Sequence, residues 1–337
     1  MDIMESEFAI VGGGIVGLSI AYGLLKRGKT VCVFDEGDCA FRASRGNFGL
    51  VWVQSKGLNQ SAYAKWTRKS AAAFRGFADE LQDLTGLNIS LQQDGGYIIH
   101  MSEETLDRDR KLYEGLRQEL DGDYPFEVMG HNALKNEEPN IGPKVAGALY
   151  CREDGHLNPL FLLRALSTAV RSLGGTVLSR QKVSKIAASN SGFHIETEGG
   201  NTAAFDKVVL AAGLGAITLG PQLGFKAPIR PQQGQVLITE KMPKLMNRPN
   251  VEVRQVNEGG IQIGASKDEA GMNDVEDIAT LSGLARNAVD MFPKLARAKL
   301  VRSWAALRIM SPDGLPIYEK SPIYPGAFFV TCHSGIT

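Results

Sequence analysis

The 337 residues of the chain suggest two domains, or one large domain with an insertion, and 37 basic and 37 acidic residues give a formal net charge of zero at pH 7. A neutral chain does not favour nucleic acid or an anionic membrane surface as its partner. Its four cysteines contain no C-x-x-C pair, so no disulfide framework is predicted and a reducing, cytoplasmic setting fits best. Its five histidines lack metal-ligand spacing, so no metal site is predicted.

The first predicted elements are a strand over 8–11, a turn at 12–14, a helix from 15 to about 27, and a second buried strand over 31–34. The uncharged run 8–25 is nearly long enough to span a membrane. Five glycines interrupt it and acidic residues precede it, so we predict a β-α-β unit of the core and no transmembrane segment.

The turn and the start of this helix have the G-x-G-x-x-G spacing, in the order Gly12, Gly13, Gly14, Ile15, Val16 and Gly17. The three motif glycines allow a tight turn, a close approach of the backbone to a pyrophosphate, and close packing of helix on strand. The helix N-terminus offers N–H groups and a partial positive charge to phosphates. Asp35 ends the second strand 18 residues after Gly17, with Glu36 beside it, and its carboxylate can accept hydrogen bonds from a ribose. These features predict an adenine-dinucleotide site, and they leave NAD and FAD equally open as the cofactor.

Later segments first extend this unit and then change to the alternating pattern of antiparallel strands. Asn158 and Pro159 mark the start of a helix that continues to 173. Predicted strands follow at 176–178, 183–186 and 193–196, and the buried apolar strand 206–212, closed by Gly213, predicts a return to a parallel sheet. Half-buried antiparallel strands are predicted at 235–240, 251–256 and 260–266, with a hairpin at 257–260 and an amphipathic helix over 278–291. The predicted class is α/β, or α+β overall, with a Rossmann-like nucleotide-binding domain interleaved with an antiparallel-sheet domain.

Four further stretches narrow the choice of cofactor: RASRGNFG from residue 42, KVVLAAGLGA from 207, SWAALRIMSPDGLP from 303 and FFVTCHSGIT from 328. In this order they resemble the D-amino-acid oxidase and glycine oxidase family of FAD-dependent oxidoreductases, over essentially the whole chain. Within that family, RGNFGLVWVQSKG and CHSGIT are most similar to the flavoprotein subunits of hydrogen cyanide synthase and opine oxidase. The resemblance implies a discontinuous FAD-binding domain over 1–60, 145–228 and 316–337, and a substrate domain over 61–144 and 229–315.

The resemblance also implies the cofactor contacts. The FAD diphosphate would be faced by the residues of the glycine turn and helix start, Gly12, Gly14, Ile15, Val16 and Gly17, and the adenosine ribose by Asp35 and Glu36. Ser44, Asn47 and Gly49 would lie along the diphosphate and the flavin. Val183 would contact the adenine, and Ala212 and Gly213 would form the turn that closes over the nucleotide. Relatives that link flavin covalently have a histidine near the position of Ser44. None is present here, so non-covalent FAD is expected.

For the substrate, the resemblance identifies Arg308 as the residue that holds a carboxylate, in a W-x-G-L-R-P motif that here reads Trp304 to Ile309, with alanine for glycine and isoleucine for proline. A guanidinium binds a carboxylate bidentately. The alternative is a surface arginine on a loop. His333 is a candidate contact of flavin or substrate, with a backbone-satisfied histidine as the equal alternative. For Trp52 and Trp304, packing in the core is the preferred interpretation, and a place in the pocket wall is the alternative.

The implied activity is oxidation of the C–N bond of an amino acid or N-substituted amino acid, such as glycine, a D-amino acid, an opine or a proline-like compound, by hydride transfer to flavin N5. The alternatives are an NAD(P)-dependent dehydrogenase and a non-catalytic flavin-binding assembly subunit. The narrower similarity implies partner subunits for electron transfer and a cytoplasmic location, or a peripheral one at the inner membrane. Family members continue past the segment matching HSGIT into a helix that faces the flavin, so the resemblance implies that this helix helps to retain FAD.

Overall fold

The structure is a computed structural model that describes residues 6–37 and 42–331. Its helices are α1 (Ile15–Leu25), α2 (Ser61–Thr85), α3 (Glu103–Glu119), α4 (His131–Glu137), α5 (Pro159–Ser172), α6 (Ala216–Leu219) and α7 (Ile278–Met291). Its strands are β1 (Phe8–Val11), β2 (Val31–Phe34), β3 (Leu50–Val51), β4 (Gly96–His100), β5 (Glu127–Gly130), β6 (Gly147–Cys151), β7 (Gly155–His156), β8 (Thr176–Leu178), β9 (Val183–Ser189), β10 (Gly192–Thr197), β11 (Thr202–Phe205), β12 (Lys207–Leu210), β13 (Arg230–Lys241), β14 (Val253–Gln255), β15 (Gly260–Gly264), β16 (Leu300–Met310), β17 (Ile317–Lys320) and β18 (Ala327–Thr331). Short 3-10 helices cover Gly213–Gly215, Gly220–Leu223 and Pro293–Arg297.

A six-stranded sheet in the order β17-β18-β12-β1-β2-β8 forms the centre of the nucleotide-binding part. β1 pairs in parallel with β2 and β12, the next strands outward are also parallel, and β17 is antiparallel at one edge. β1 and β2 are continuous apolar runs, and β12 is apolar after Lys207, because both faces of a parallel sheet are covered. The predicted parallel sheet is confirmed, including the return of the chain at β12.

Different elements cover the two faces of this sheet. On one face, α1, α2 and α5 contribute to a core in which Ile10, Leu18 and Leu166 are at most 2% exposed. On the other face, the antiparallel sheet β11-β10-β9 packs over Val208 and Phe329. This arrangement leaves the carboxyl ends of β1, β2 and β12 free for a ligand, which is the usual binding edge of such sheets.

Local sequence explains where the first helices begin and end. α1 begins after Gly14 and ends at Leu25, two residues before the predicted limit, and Gly28 at φ +74° turns the chain into β2. The Asn158 side chain accepts hydrogen bonds from the N–H groups of Leu160 and Phe161 at 3.0 and 3.2 Å, so the predicted N-cap of α5 is confirmed.

Two antiparallel sheets build the other part of the molecule, in the orders β14-β15-β13-β16 and β4-β6-β5. They share a core with α7 in which Tyr97, Leu237, Ile263 and Phe292 are buried. β14 and β15 form the predicted hairpin, and α7 has the predicted bounds. The mixed fold class of a parallel sheet interleaved with antiparallel sheets is therefore confirmed.

The division of the chain into two domains stays a prediction, and one strand argues for a different boundary. The predicted boundary at 145 assigns β6 to the FAD-binding domain, but β6 pairs on both edges with β4 and β5 of the predicted substrate domain. Within residues 6–37 and 42–331, none of the helices is both long and apolar enough to cross a bilayer.

Candidate active site

A cavity of about 1430 Å³ lies along the carboxyl ends of β1, β2 and β12 and extends to β16. Typical small-molecule sites have volumes of roughly 300–1,000 Å³. The cavity is therefore large enough for a dinucleotide together with a small substrate. Its two ends are built from different parts of the fold, the parallel sheet at one end and the strands β13 and β16 at the other.

The glycine turn at the end of β1 forms the floor of the first end. Gly12 has φ +114°, and a Cβ atom there would lie 2.3 Å from the carbonyl oxygen of Ala211. A Cβ atom on Gly17 would lie 1.9 Å from the carbonyl oxygen of Gly12, so this glycine lets α1 pack on the turn and does not itself line the cavity. Gly13 donates its N–H to the Asp35 carboxylate at 3.1 Å, which joins the turn to the end of β2.

The N-terminus of α1 points its first residues into the cavity, where Gly14, Ile15 and Val16 all form part of the lining. Ser44 approaches this helix end from a separate segment, and its Oγ accepts the N–H of Ile15 at 3.0 Å. The segment that contains Ser44 and Asn47 therefore lies directly over the helix N-terminus. N–H groups, a hydroxyl and the positive end of a helix dipole form a suitable environment for a diphosphate.

The acidic pair after β2 closes this end. Asp35 lines the cavity, and its second carboxylate oxygen accepts the N–H of Gly37 at 2.9 Å. Glu36 forms an ion pair with Arg42, with an Nε–Oε1 distance of 3.0 Å. No sequence pattern assigned a role to Arg42, because no local motif links it to Glu36, six positions earlier.

The remaining predicted cofactor residues are distributed around the same cavity. Val183, Ala212 and Gly213 line it, and Gly213 has φ +55° at the start of a 3-10 helix. Asn47 lines it too, and its side-chain oxygen accepts the N–H of Gly49 at 2.7 Å. Gly49 itself lies behind the wall. His333 lies outside the described residues.

Arg308 lies at the second end of the cavity, on β16, where it pairs with Gln232 of β13. The strand overturns the alternative of a surface loop. Its Nη1 donates to the carbonyl oxygen of Ser266 at 2.8 Å, and a Cβ atom at the neighbouring Gly234 would lie 2.6 Å from Nη2. The guanidinium therefore lies flat across a glycine of β13, in a place that a larger residue would fill.

Among the described residues, the charge of Arg308 is not balanced by an ion pair. Across the part of the chain that the structure describes, no carboxylate forms a salt bridge with its guanidinium. Burial lowers the pKa of Arg308 from its ordinary value, and the nearby Asp268 acts in the opposite direction. This half-buried, permanently charged fork faces the cavity and has no carboxylate partner in the described part of the chain, so it is suited to bind the carboxylate of a ligand.

Side walls connect the two ends. Residues 55–60 and α2 form one wall, and the ring of Trp66 on α2 lies against Tyr318 of β17 with their centroids 5.1 Å apart. Trp52 is only 3% exposed and also lines the cavity, so it serves both packing and the pocket. Trp304 is not part of the lining, and its indole N–H donates to the carbonyl oxygen of Gly46 at 3.3 Å.

A buried carboxylate holds the start of this wall from behind. Asp154 has no exposed surface, and it accepts the N–H of Val53 at 2.5 Å and the side-chain N–H of Gln54 at 2.7 Å. Burial raises the pKa of Asp154 to about 7, although the N–H donors act in the opposite direction. The sequence did not point to Asp154, because no local pattern links it to residues about a hundred positions earlier.

Replacing Asp154 with asparagine is expected to flatten the dependence of stability on pH. The folded pKa lies above the ordinary value, so the stabilisation from holding the proton is complete below about pH 4 and is lost as the pH rises to about 7. One titrating group changes the free energy of unfolding by at most about 1.4 kcal/mol per pH unit. Denaturant unfolding between pH 4 and 7 measures this slope, and equal slopes for Asp154→Asn and the unmodified protein would contradict the assignment.

The residues that are present fit FAD. The glycine turn, the open helix N-terminus with Ser44 and the acid at the end of β2 suit an adenine dinucleotide, and the cavity continues beyond them to Arg308, which leaves space for a ring and a substrate. Among residues 6–37 and 42–331, no cluster of histidine, cysteine, aspartate or glutamate has an arrangement that could hold a metal ion.

Comparisons with known proteins agree with this chemistry. The protein-family model described as DAO, FAD dependent oxidoreductase, matches residues 7–337. The chain is 40% identical to an opine oxidase subunit of Agrobacterium tumefaciens strain Ach5 over 99% of this chain and 90% of that protein. It is 26% identical to the HcnC subunit of hydrogen cyanide synthase from Pseudomonas protegens, over 94% of this chain and 84% of that protein. The crystal structure of glycine oxidase from Geobacillus kaustophilus superposes with a TM-score of 0.89 at 26% identity, covering 98% of this chain and 90% of that one.

Proposed function

The chain belongs to the DAO family of FAD-dependent oxidoreductases, and from this premise we propose that it oxidises the C–N bond of an amino acid or N-substituted amino acid. The observation that carries the proposal is Arg308, a half-buried guanidinium in the cavity wall without an ion-pair partner among the described residues. A substrate carboxylate would supply that partner. The assignment of the family also removes the NAD(P)-dependent alternative, since the cofactor of this family is FAD.

The protein contributes position and environment to this reaction. FAD, when bound, would supply the acceptor for the hydride that leaves the α-carbon as the amine is oxidised to an imine. Arg308 would fix the carboxylate at two points and thereby the orientation of the α-carbon. Trp52 and the residues of α2 in the wall would exclude water from the reacting centre. No side chain is needed as an acid or base for this step.

The relative with 40% identity favours an N-substituted substrate. That protein is named as a subunit of an opine oxidase. Among the candidate substrates, an opine is the N-substituted amino acid that this name indicates. We therefore propose an opine-like secondary amine as the substrate of this chain. Both this relative and the hydrogen cyanide synthase protein HcnC are named as subunits, which supports a partner protein that takes up the electrons.

The substrate proposal is tested by comparing kcat/KM for an opine, for the primary amino acid that it contains, and for glycine, with the FAD-loaded protein and an artificial electron acceptor. We expect kcat/KM for the opine to be higher by at least about tenfold, which corresponds to about 1.4 kcal/mol of transition-state binding. A higher value for the primary amino acid or for glycine would contradict the proposed substrate while leaving the amine-oxidising activity intact. Turnover of none of them would contradict the activity and favour a non-catalytic assembly subunit.

A further inference from the structure

A second buried arginine lies behind the cavity wall. Arg254 on β14 is 3% exposed, and its Nε donates to the side-chain oxygen of Gln262 at 2.8 Å. Within the described ranges, no carboxylate forms an ion pair with it. Burial lowers its pKa to about 9, so it remains charged at neutral pH. Burying an arginine without a counter-ion costs free energy of folding. The other contacts of Arg254 show which part of the protein its charge stabilises.

These contacts lead to the segment that carries Phe48 and Gly49. Arg254 Nη1 donates to the carbonyl oxygen of Leu157 at 2.8 Å, and the N–H of Leu157 donates to the carbonyl oxygen of Gly49 at 2.8 Å. The guanidinium carbon also lies 5.5 Å from the ring centroid of Phe48, which is part of the cavity lining. Two hydrogen bonds and one cation–π contact therefore connect the buried charge to the wall.

Gly49 is shaped for this contact. It has φ +87°, and a Cβ atom there would lie 2.8 Å from Arg254 Nη2 and 2.5 Å from the carbonyl oxygen of Leu157. The backbone at residue 49 thus approaches both groups more closely than any side chain would allow. Because of this close approach, the backbone at residue 49 has little space to move toward the guanidinium.

His156 forms the second connection. Arginine can only donate, so the His156 Nδ1 atom, 3.2 Å from Arg254 Nη1, is the acceptor. The ring proton is then on Nε2, which donates to the side-chain oxygen of Gln92 at 3.1 Å. Burial and the neighbouring Arg254 lower the pKa of His156 to about 3, so the ring stays neutral. The backbone of His156 pairs with Leu50, another residue of the cavity wall.

We propose that Arg254 is a positioning residue. Through Leu157 and His156 it fixes the wall residues Phe48 and Leu50 and the backbone of Gly49 behind them, and so sets the fit of the bound cofactor and substrate. An arginine is suited to this role because one planar group donates in three directions at once, to Gln262, His156 and Leu157. Lysine retains the charge but cannot reproduce this geometry. The part that concerns the substrate rests on the proposed function, whereas the part that concerns FAD does not.

The test compares Arg254→Lys and Arg254→Met with Arg248→Lys and Arg248→Met, in the full chain. Arg248 is a matched control because it also stacks on an aromatic ring, 5.3 Å from the centroid of Tyr150, and forms hydrogen bonds, but it does not line or support the cavity wall. The measurements are the FAD dissociation constant, the visible absorption spectrum of the bound flavin, and the midpoint of thermal unfolding. If Arg254 had a purely structural role, its variants would change only the midpoint of thermal unfolding.

Both Arg254 variants are expected to raise the FAD dissociation constant by at least about tenfold over the Arg248 variants and to shift the flavin absorption bands. His156→Leu removes one acceptor of Arg254 and leaves the arginine in place, and it is also expected to raise the FAD dissociation constant. This variant keeps the test informative if Arg254→Met does not fold. FAD affinity and spectra that match the controls, in folded Arg254→Lys and His156→Leu proteins, would overturn the proposal. Because FAD binding is measured without substrate, its outcome does not depend on whether an amine is oxidised.

Discussion

Leucine in place of Arg308 is expected to lower kcat/KM for the amine substrate by roughly thirty-fold to several-thousand-fold, which corresponds to about 2–5 kcal/mol. The guanidinium lies in the cavity and has no ion pair within the described residues, so its removal leaves a substrate carboxylate without its cation. The glycine turn and the N-terminus of α1 lie at the other end of the cavity, and the FAD content of the purified variant should therefore equal that of the unmodified protein.

Arg302→Leu is the matched control for this experiment. Arg302 is an exposed arginine on the same strand, β16, and does not belong to the cavity lining. Arg308→Lys distinguishes charge from geometry, since lysine cannot hold a carboxylate bidentately, and an intermediate loss is expected. Unchanged turnover in Arg308→Leu with normal FAD content would contradict the role of this residue as a carboxylate clamp.

Valine in place of Gly14 is expected to weaken FAD binding by at least about tenfold with little change in the midpoint of thermal unfolding. Gly14 has the extended angles φ −75° and ψ −178°, so the backbone tolerates a side chain. A Cβ atom there would lie 3.0 Å from Ser44 Oγ and would crowd the space at the helix N-terminus. A diphosphate needs that space to approach the N–H groups of α1.

Gly23→Val provides the control, because it introduces the same side chain on the same helix, where the nearest atom to a Cβ is 3.6 Å away on Arg27. Fluorescence quenching during FAD titration measures the affinity of both variants. Equal FAD affinity for Gly14→Val and the unmodified protein would show that the diphosphate does not lie at this helix end.

The first β-α-β unit could be predicted closely because all of its determinants are local. β1, the glycine turn and β2 follow one another within 27 residues, and each has its own sequence signal. Only the end of α1 differs from the prediction, at Leu25 in place of about residue 27, since helix ends fray and Gly28 marks only the following turn. The cap at Asn158 and the hairpin before β15 were predictable for the same reason.

The second end of the cavity depends on contacts that sequence patterns do not encode. From sequence, Arg308 could be either a carboxylate-binding residue or a surface arginine on a loop, and its place in a strand is decided by pairing with β13, more than seventy residues earlier. Asp154 and Arg254 have no local motif, and the contacts that connect them to the cavity wall join residues about a hundred positions apart. Gly49 was predicted as a cofactor contact, whereas in the structure it accommodates Arg254 behind the wall.

The proposed activity is tested most directly by the visible absorption spectrum of the FAD-loaded protein during anaerobic addition of amines. The panel contains an opine, glycine, sarcosine, proline and D-amino acids. We predict that the oxidised flavin band is bleached by the opine or another amino acid of this panel, and that Arg308→Leu needs a much higher concentration of the same compound. A flavin that binds normally and stays oxidised with every amine of the panel would contradict the assignment of this chain as an amine-oxidising enzyme.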